Sequence, residues 1–126
     1  MKVSTWAALL NSRTSHDHFK KIIDKEIPAN IVYEDDLCIA FHDVQPQAPV
    51  HVLLIPKQEV ENVDSLRESD RDVAGHLLVK VHEVAKLLDL ENGYRIVANN
   101  GKDGGQSVDH LHFHILGGRK LVWPPG

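Results

Sequence analysis

Three histidines near the end of the chain could carry chemistry. His110, His112 and His114 alternate with apolar residues in the segment HLHFHIL, residues 110–116. Because side chains on a β-strand point to alternate faces, the three imidazoles would share one face, roughly 6.7 Å apart in succession, with the apolar residues in the core. Imidazole titrates near neutral pH and acts as nucleophile, general base or metal ligand. The segment therefore indicates a site for chemistry on one face of a β-strand.

A glycine-rich loop, GKDGGQS at residues 101–107, directly precedes the histidine segment. Paired glycines allow backbone N–H groups to turn toward an anion, and Ser107 adds a hydroxyl donor. The spacing matches neither a P-loop nor G-x-G-x-x-G. Next to three histidines, the loop is interpreted as an anion cradle beside a nucleophile.

Zinc chemistry is the competing interpretation of the histidines. Two histidines at i and i+2 on a strand can chelate zinc, but a catalytic site needs a third protein ligand and an open position. His51 and Cys38 are the candidates for that ligand. Cys38 shares a strand face with Ala40, which favours a buried small hydrophobic residue over a ligand. We expect no metal and no cofactor.

The elements that must position these residues follow from hydrophobic periodicity. Helices are predicted from Asp17 to Ile27, ended by Pro28, and from a capping box at Ser69 and Asp72 to a point before Gly93. The predicted strands are Ile31–Glu34, Leu37–His42, Val50–Ile55, Tyr94–Asn99 and Leu111–Leu116. This order predicts an α+β fold with a five-stranded, mostly antiparallel sheet, one short and one long helix, and helices on one face.

The remaining patterns predict less. A tight turn is expected at Asp35-Asp36 and a proline loop at residues 45–49. The residues predicted to lie on the surface without a partner are His16, His18, His76 and His82. The segment from Gln58 to Asp72 is assigned no role in the site.

Length and composition limit the class of protein. A chain of 126 residues predicts one domain, assigned to residues 19–126, after an N-terminal arm at residues 1–18. A net charge of −4 argues against binding to long nucleic acids. A single cysteine excludes an intrachain disulfide and favours a reducing compartment. The apolar stretches are too short for a signal peptide or a membrane helix, so we expect no association with a membrane. The expected location is the cytoplasm, with the nucleus as a second compartment.

The chain resembles the histidine triad (HIT) superfamily and, within it, the histidine triad nucleotide-binding (HINT) branch. The family signature, His-φ-His-φ-His-φ-φ with φ apolar, is met by residues 110–116 without a mismatch. Further similar segments are residues 21–28, 40–43, 46–49 with His51, 103–108, 117–119 and 123–126. The resemblance covers roughly Phe19 to Gly126. Asp109 departs from it, since similar proteins have an aromatic residue there.

The resemblance implies a HIT-like fold and a purine nucleoside phosphoramidase. Such an enzyme hydrolyses the P–N bond of AMP- or GMP-linked amines, and aminoacyl-adenylates, through a nucleotidyl-histidine intermediate. It also implies a homodimer in which two sheets join edge to edge, with Trp123 beside the neighbouring subunit's site.

Residue roles are implied by the same resemblance. His112 would be the nucleophile, His114 would bind the phosphate oxygens, and His110 and His51 would support the ring of His112. The residues implied to bind substrate are Phe19, Ile22, Ile27, Phe41, Val44 and Leu53 around the purine, Asp43 and Asn99 at the ribose, Gly105, Gln106 and Ser107 at the phosphate, and Trp123 at the amine. Ser107 would also favour protonation of the amine. By pattern alone, Ile22, Ile27 and Leu53 would be core residues.

Two alternatives to the phosphoramidase stay open. The first is a dinucleoside polyphosphate hydrolase or nucleotidyl transferase of the same superfamily. Its transferases replace the last triad histidine, whereas His114 is present here. The second is a non-catalytic module that binds zinc or partner proteins. Regulatory protein partners are also compatible with the enzymatic alternatives.

Overall fold

A computed structural model describes residues 15–126, with side chains from His18 onward. The elements in chain order are α1 (Ser15–Ile23), β1 (Ile31–Glu34), β2 (Cys38–His42), β3 (Val50–Pro56), two short 3₁₀ turns (Val63–Ser65 and Glu68–Asp70), α2 (Arg71–Leu87), β4 (Arg95–Val97) and β5 (Phe113–Gly117). Residues 1–14 of the predicted N-terminal arm lie outside the described residues. The side chain of His16, predicted to lie on the surface, is also outside the described part.

The five strands form one sheet in the order β1-β2-β3-β5-β4, and every neighbouring pair is antiparallel. This confirms the predicted fold class. On β3 and β5, Leu53 lies opposite His114 and His51 lies opposite Leu116. Because residues two apart share a face, His51 and His114 are diagonal neighbours on the same side of the sheet.

The two helices cover opposite faces of the sheet, so the prediction of helices on one face is wrong. Phe19 and Ile22 of α1 pack with Ile39, Phe41, Leu53 and Ile55. In contrast, Leu77, Val81 and Val84 of α2 pack with Cys38, Ala40, Val52 and Leu54. The central strands are buried on both faces and therefore need a cover on each.

Helix α1 begins two residues earlier and ends four residues earlier than predicted. Lys25 adopts a left-handed backbone with φ of 63°, and the Glu26 N–H donates to the Lys21 carbonyl at 2.8 Å. This hydrogen bond closes the last turn of α1, so Ile27 lies beyond the helix. His18 is buried, which corrects its assignment to the surface.

Helix α2 matches the predicted main helix, but the expected capping box at Ser69 and Asp72 does not form. A 3₁₀ turn precedes the helix, where the Asp70 carboxylate accepts the Arg67 backbone N–H at 3.0 Å. Neither helix in the described part of the chain is long and apolar enough to cross a lipid bilayer.

Strand β5 begins at Phe113, two residues later than predicted. The Leu111 N–H donates to the Val60 carbonyl at 2.6 Å, outside the sheet ladder. The segment that carries His110 and His112 therefore leads into the sheet without belonging to it. Strand β4 is also shorter than the predicted Tyr94–Asn99.

Candidate functional site

His112 lies at the centre of the candidate site. Its Nδ1 lies 2.7 Å from the His110 carbonyl oxygen, which can only accept, so we assign the proton to Nδ1. The lone pair of the neutral ring is then on Nε2. The side chain is 5% exposed, and the edge of the Phe19 ring packs against it with a centroid distance of 5.4 Å. The geometry presents His112 as a held, neutral imidazole with a basic Nε2.

A chain of hydrogen bonds fixes the protonation of the next two histidines. The Gln47 backbone N–H donates to His51 Nδ1 at 3.0 Å, so the proton of neutral His51 is on Nε2. His51 Nε2 lies 2.9 Å from His114 Nδ1 and donates to it. His114 therefore carries its proton on Nε2 and presents an N–H donor, while His112 presents a lone pair.

Burial keeps these imidazoles uncharged. Desolvation lowers the pKa of His112, and the hydrogen bond to the His110 carbonyl opposes this only in part. Desolvation and the neighbouring rings of His112 and His51 lower the pKa of His114 to about 3. Desolvation also lowers the pKa of His51, and the nearby Asp43 carboxylate opposes this only in part. At neutral pH the site holds three neutral rings of defined tautomer.

His110 supports the site from beneath. Its side chain is buried, and Nε2 donates to the Pro56 carbonyl at 2.8 Å. Its own carbonyl accepts the His112 proton. His110 therefore connects the candidate nucleophile His112 to the end of β3 through two hydrogen bonds.

Asp43 follows the last residue of β2 and forms a turn. Its Oδ1 accepts the Gln45 N–H at 2.8 Å, and its backbone N–H donates to the His51 carbonyl at 2.9 Å. The second oxygen, Oδ2, lies 3.5 Å from His51 Nε2. Because burial lowers the pKa of His51, this is a polar contact and not an ion pair at neutral pH.

The apolar residues predicted around a purine form the core beneath the histidines. Phe19, Ile22, Phe41 and Leu53 are at most 3% exposed and pack on one another. Ile27 is half-buried at the margin of this cluster. These four side chains are core residues in this conformation, and their contact with a purine stays a prediction. The interpretation from pattern alone, that Ile22 and Leu53 are core, is confirmed.

Val44 and Trp123 lie outside this cluster. Val44 is 46% exposed and Trp123 is 81% exposed in the single chain. The backbone carbonyl of Val122 accepts a hydrogen bond from Arg95 at 2.9 Å, so the C-terminal segment is attached near β4. The structure does not bring Trp123 into the histidine cluster of its own chain.

The glycine loop is folded mainly on itself. A Cβ at Gly104 would lie 2.4 Å from the Asn100 carbonyl oxygen, and Gly101 and Gly105 have φ of 74° and 76°, so glycine is required at all three positions. The Gly105 and Gln106 N–H groups donate to Lys102 and Gly101 carbonyls, each at 3.1 Å. The Gly105 N–H, the predicted phosphate donor, thus donates within the loop in this conformation, and its contact with a phosphate stays a prediction.

The Gln106 side chain was predicted to bind substrate, but all its hydrogen-bonding capacity is used within the protein. Its Oε1 accepts from Gly101 N at 2.9 Å and Asn62 Nδ2 at 3.0 Å. Its Nε2 donates to the Glu61 and Val108 carbonyls at 2.8 and 3.0 Å. Gln106 therefore braces the loop instead of facing a ligand.

Asn62 and Asn99 complete the support of the loop. Asn99 Nδ2 donates to the Gly104 carbonyl at 2.7 Å. Asn62 lies in the segment that was assigned no role in the site, and it is buried against Gln106. No local motif marks Asn62, because its partner lies 44 residues away.

A second titratable cluster has a structural explanation. The Asp35 carboxylate caps the β1–β2 turn, accepts the Tyr33 hydroxyl, and lies 2.7 Å from His76 Nε2 on α2. His76 therefore has a partner, which corrects its assignment. Cys38 is fully buried, and burial raises the pKa of its thiol to about 12, as expected for a small hydrophobic residue.

The donor atoms of Asp43, His51 and His114 also lie within 4.8 Å of one another, close enough to consider a metal. Two nitrogens bound to one tetrahedral zinc at about 2.05 Å would be roughly 3.3 Å apart. The 2.9 Å between His51 Nε2 and His114 Nδ1 fits a hydrogen bond better. The donor set as folded therefore does not fit a zinc ion well.

Comparison with known proteins gives the family. The family described as HIT domain matches residues 24–121. A HIT-like protein of Synechocystis is 58% identical over 108 residues, which cover 86% of this chain and 95% of that protein. A HIT family hydrolase of Legionella pneumophila has a TM-score of 0.83 and 43% identity, over 86% of this chain and 97% of the other. A histidine triad nucleotide-binding protein of Candida albicans has a TM-score of 0.73 and 33% identity, over 85% and 82%. The histidine cluster on its antiparallel sheet thus belongs to a protein of the HIT domain family.

Proposed function

We propose that this protein is a hydrolase that cleaves the P–N bond of purine nucleoside phosphoramidates, AMP- or GMP-linked amines, and also acts on aminoacyl-adenylates. The observation that carries the proposal is the tautomer pattern: His112 presents a lone pair on Nε2 while His114 presents an N–H donor. A nucleophile beside a donor is the combination that attack on a phosphoryl group requires. The likeness to proteins called HIT family hydrolases and to a histidine triad nucleotide-binding protein supports it.

The first step is attack on the α-phosphorus. His112 Nε2 forms a bond to phosphorus, while the P–N bond breaks and the amine leaves with a proton. The Nδ1–H bond to the His110 carbonyl orients the ring and stabilises the positive charge that develops on it. The Nε2–H of His114 donates to a non-bridging phosphate oxygen. The Ser107 hydroxyl relays a proton from solvent to the leaving amine: it donates its own proton to the nitrogen and takes one from water.

In the second step, water attacks the nucleotidyl-histidine. The P–N bond to His112 breaks, the nucleoside monophosphate forms, and the imidazole returns to its neutral state. Asp43 accepts the ribose hydroxyls, since a carboxylate is the suitable acceptor for a vicinal diol. Asn99 contacts the ribose near the phosphate.

The test is a comparison of two substrates. We expect faster turnover of an adenosine phosphoramidate than of a diadenosine polyphosphate at equal concentration. The reverse preference would favour the alternative activity of the same superfamily. If the protein turns over neither substrate, the result would favour the non-catalytic module that binds zinc or partner proteins.

The pH profile tests the neutral state of the nucleophile. Because burial lowers the pKa of His112, protonation should remove the attacking lone pair only below the ordinary histidine value of about 6.5. We expect the acidic decline of kcat/KM to have its midpoint below pH 6.5. A decline centred at or above pH 6.5 would contradict this assignment.

Chelation separates direct attack from metal chemistry. Attack by imidazole needs no Lewis acid, so we expect full activity after prolonged treatment with EDTA and dialysis. The control is the treated protein assayed again after zinc is added. Loss of activity that zinc restores would favour the zinc interpretation.

The proposal includes a homodimer that places the C-terminal segment beside the partner's site. Strand β4 is an edge strand of the sheet, and Ile96 on it is exposed. A cavity of about 370 Å³ lies nearby, lined by residues that include Leu90, Gly93 and Arg119. An edge strand with exposed apolar residues is a surface on which a second sheet can pair.

Deletion of residues 121–126 tests the role of this segment. The deletion removes contacts to the amine half of the substrate, so we expect the relative kcat/KM among different amines to change. The affinity for AMP should change little. A truncated protein that is still dimeric and ranks the amines as the full chain does would contradict a role in specificity.

A further inference from the structure

The segment that carries Asn62 is joined to the loop before the histidines by several bonds. Asn62 Nδ2 donates to Gln106 Oε1 at 3.0 Å, and Gln106 Nε2 donates to the neighbouring Glu61 carbonyl at 2.8 Å. The Asp64 N–H donates to Asn100 Oδ1 at 2.8 Å. The loop is therefore held against this segment at both its ends.

Ser107 lies between two fixed residues. Gln106 is closed onto Gly101 by both its backbone N–H and its side chain, and its Nε2 reaches past Ser107 to the Val108 carbonyl at 3.0 Å. Val108 is buried in the cluster that contains Phe19. Ser107 itself is exposed. The residues on both sides of Ser107 are thus fixed, while Ser107 is accessible from solvent.

Asn62 is suited to control this arrangement. It is only 7% exposed, and its Oδ1 accepts from the backbone N–H and hydroxyl of Ser65 at 3.1 and 2.9 Å. These bonds orient the amide so that Nδ2 points to Gln106. A buried polar group with all these partners holds its neighbours in one geometry, because loss of any bond leaves an unsatisfied group.

We propose that Asn62 is a positioning residue of the site: acting through Gln106, it fixes Ser107 so that the hydroxyl delivers a proton to the leaving amine. This inference rests on the proposed phosphoramidase function. Proton delivery matters most when the leaving group is an alkylamine, which cannot depart as an anion. A 4-nitrophenolate leaves without a proton, so a misplaced Ser107 should matter little for it.

The test uses Asn62→Asp, which keeps the acceptor for Ser65 but loses the donor to Gln106. The substrates are an alkylamine phosphoramidate of AMP and the 4-nitrophenyl ester of AMP. The measured quantity is kcat/KM, which reports the steps up to release of the leaving group. We expect a loss of about tenfold or more for the phosphoramidate, because general acid catalysis contributes about 10²–10⁴-fold and positioning is part of it, but less than about twofold for the ester.

Two further variants complete the design. Ser65→Ala removes the hydroxyl bond to Asn62 but keeps the Ser65 backbone N–H, which still donates to Asn62 Oδ1 and orients the amide toward Gln106, so both substrates should change by less than about twofold. In a Ser107→Ala background, Asn62→Asp should cause no additional loss. The ratio of the two substrates on one protein sample is independent of the folded fraction.

The outcomes are distinct. If the unsubstituted protein hydrolyses neither substrate, the proposed function is wrong and this inference falls with it. If it is active but Asn62→Asp lowers both substrates equally, or the losses add in the Ser107→Ala background, only the positioning role of Asn62 is wrong.

Discussion

His112→Asn should reduce kcat by at least about 10³-fold with any phosphoramidate substrate, since it removes the nucleophile and not merely a contact. Asparagine cannot supply the Nε2 lone pair that the bond from Nδ1 to the His110 carbonyl leaves available. The affinity for AMP should stay within about tenfold, because the contacts proposed for Asp43 and Asn99 are to the ribose and do not involve the His112 ring. Steady-state kinetics and calorimetric titration with AMP measure the two quantities.

The matched control is His82→Asn, at an exposed position on α2. It should leave kcat within about twofold, as surface substitutions usually do. Residual activity of His112→Asn near that of the unsubstituted protein would contradict the assignment of the nucleophile.

Phe19→Ala should lower the free energy of unfolding by about 3–5 kcal/mol, the usual cost of removing a buried aromatic ring. The ring is fully buried and lies at centroid distances of 5.7 Å from Phe41 and 5.4 Å from His112. Its loss would detach α1 from the sheet and remove a wall of the His112 environment. Urea unfolding followed by circular dichroism measures the change.

Phe19→Leu is the control for this substitution. It keeps apolar volume and should cost less than about 1.5 kcal/mol. If Phe19→Ala costs no more than Phe19→Leu, α1 does not pack on the sheet as the structure describes, and the burial assigned to His112 would be wrong.

The side of the sheet on which His114 lies could be predicted because the period of a strand is local: the alternation places Phe113 and Ile115 in the core under α2 and His114 on the opposite face. His110 and His112 precede the strand, so its period does not fix them, and the cover of this face by α1 was not predicted. The rings' tautomers could not be predicted. They depend on backbone groups, the carbonyl of His110 and the N–H of Gln47, which every residue type other than proline would supply equally.

The apolar residues show what hydrophobic periodicity cannot predict. Periodicity marks Ile22 and Leu53 as buried but cannot tell a wall that contacts a ligand from a core that does not. The choice of helix faces failed for a related reason, since the pattern of each strand allows burial on both sides. Asn62 was missed because a buried amide with a distant partner has no signature in the sequence.

The central claim is that His112 forms a covalent bond to phosphorus, and mass spectrometry of a rapidly quenched reaction tests it most directly. The protein is mixed with an adenosine phosphoramidate, quenched within the first turnover under conditions that preserve phosphoramidate bonds, digested, and its histidine peptides are sequenced. We expect one adenylyl group on the peptide of residues 110–116, located at His112 and absent from the His112→Asn protein. An adenylyl group on His114 or His51, or product formation in a single turnover without any labelled peptide, would contradict it.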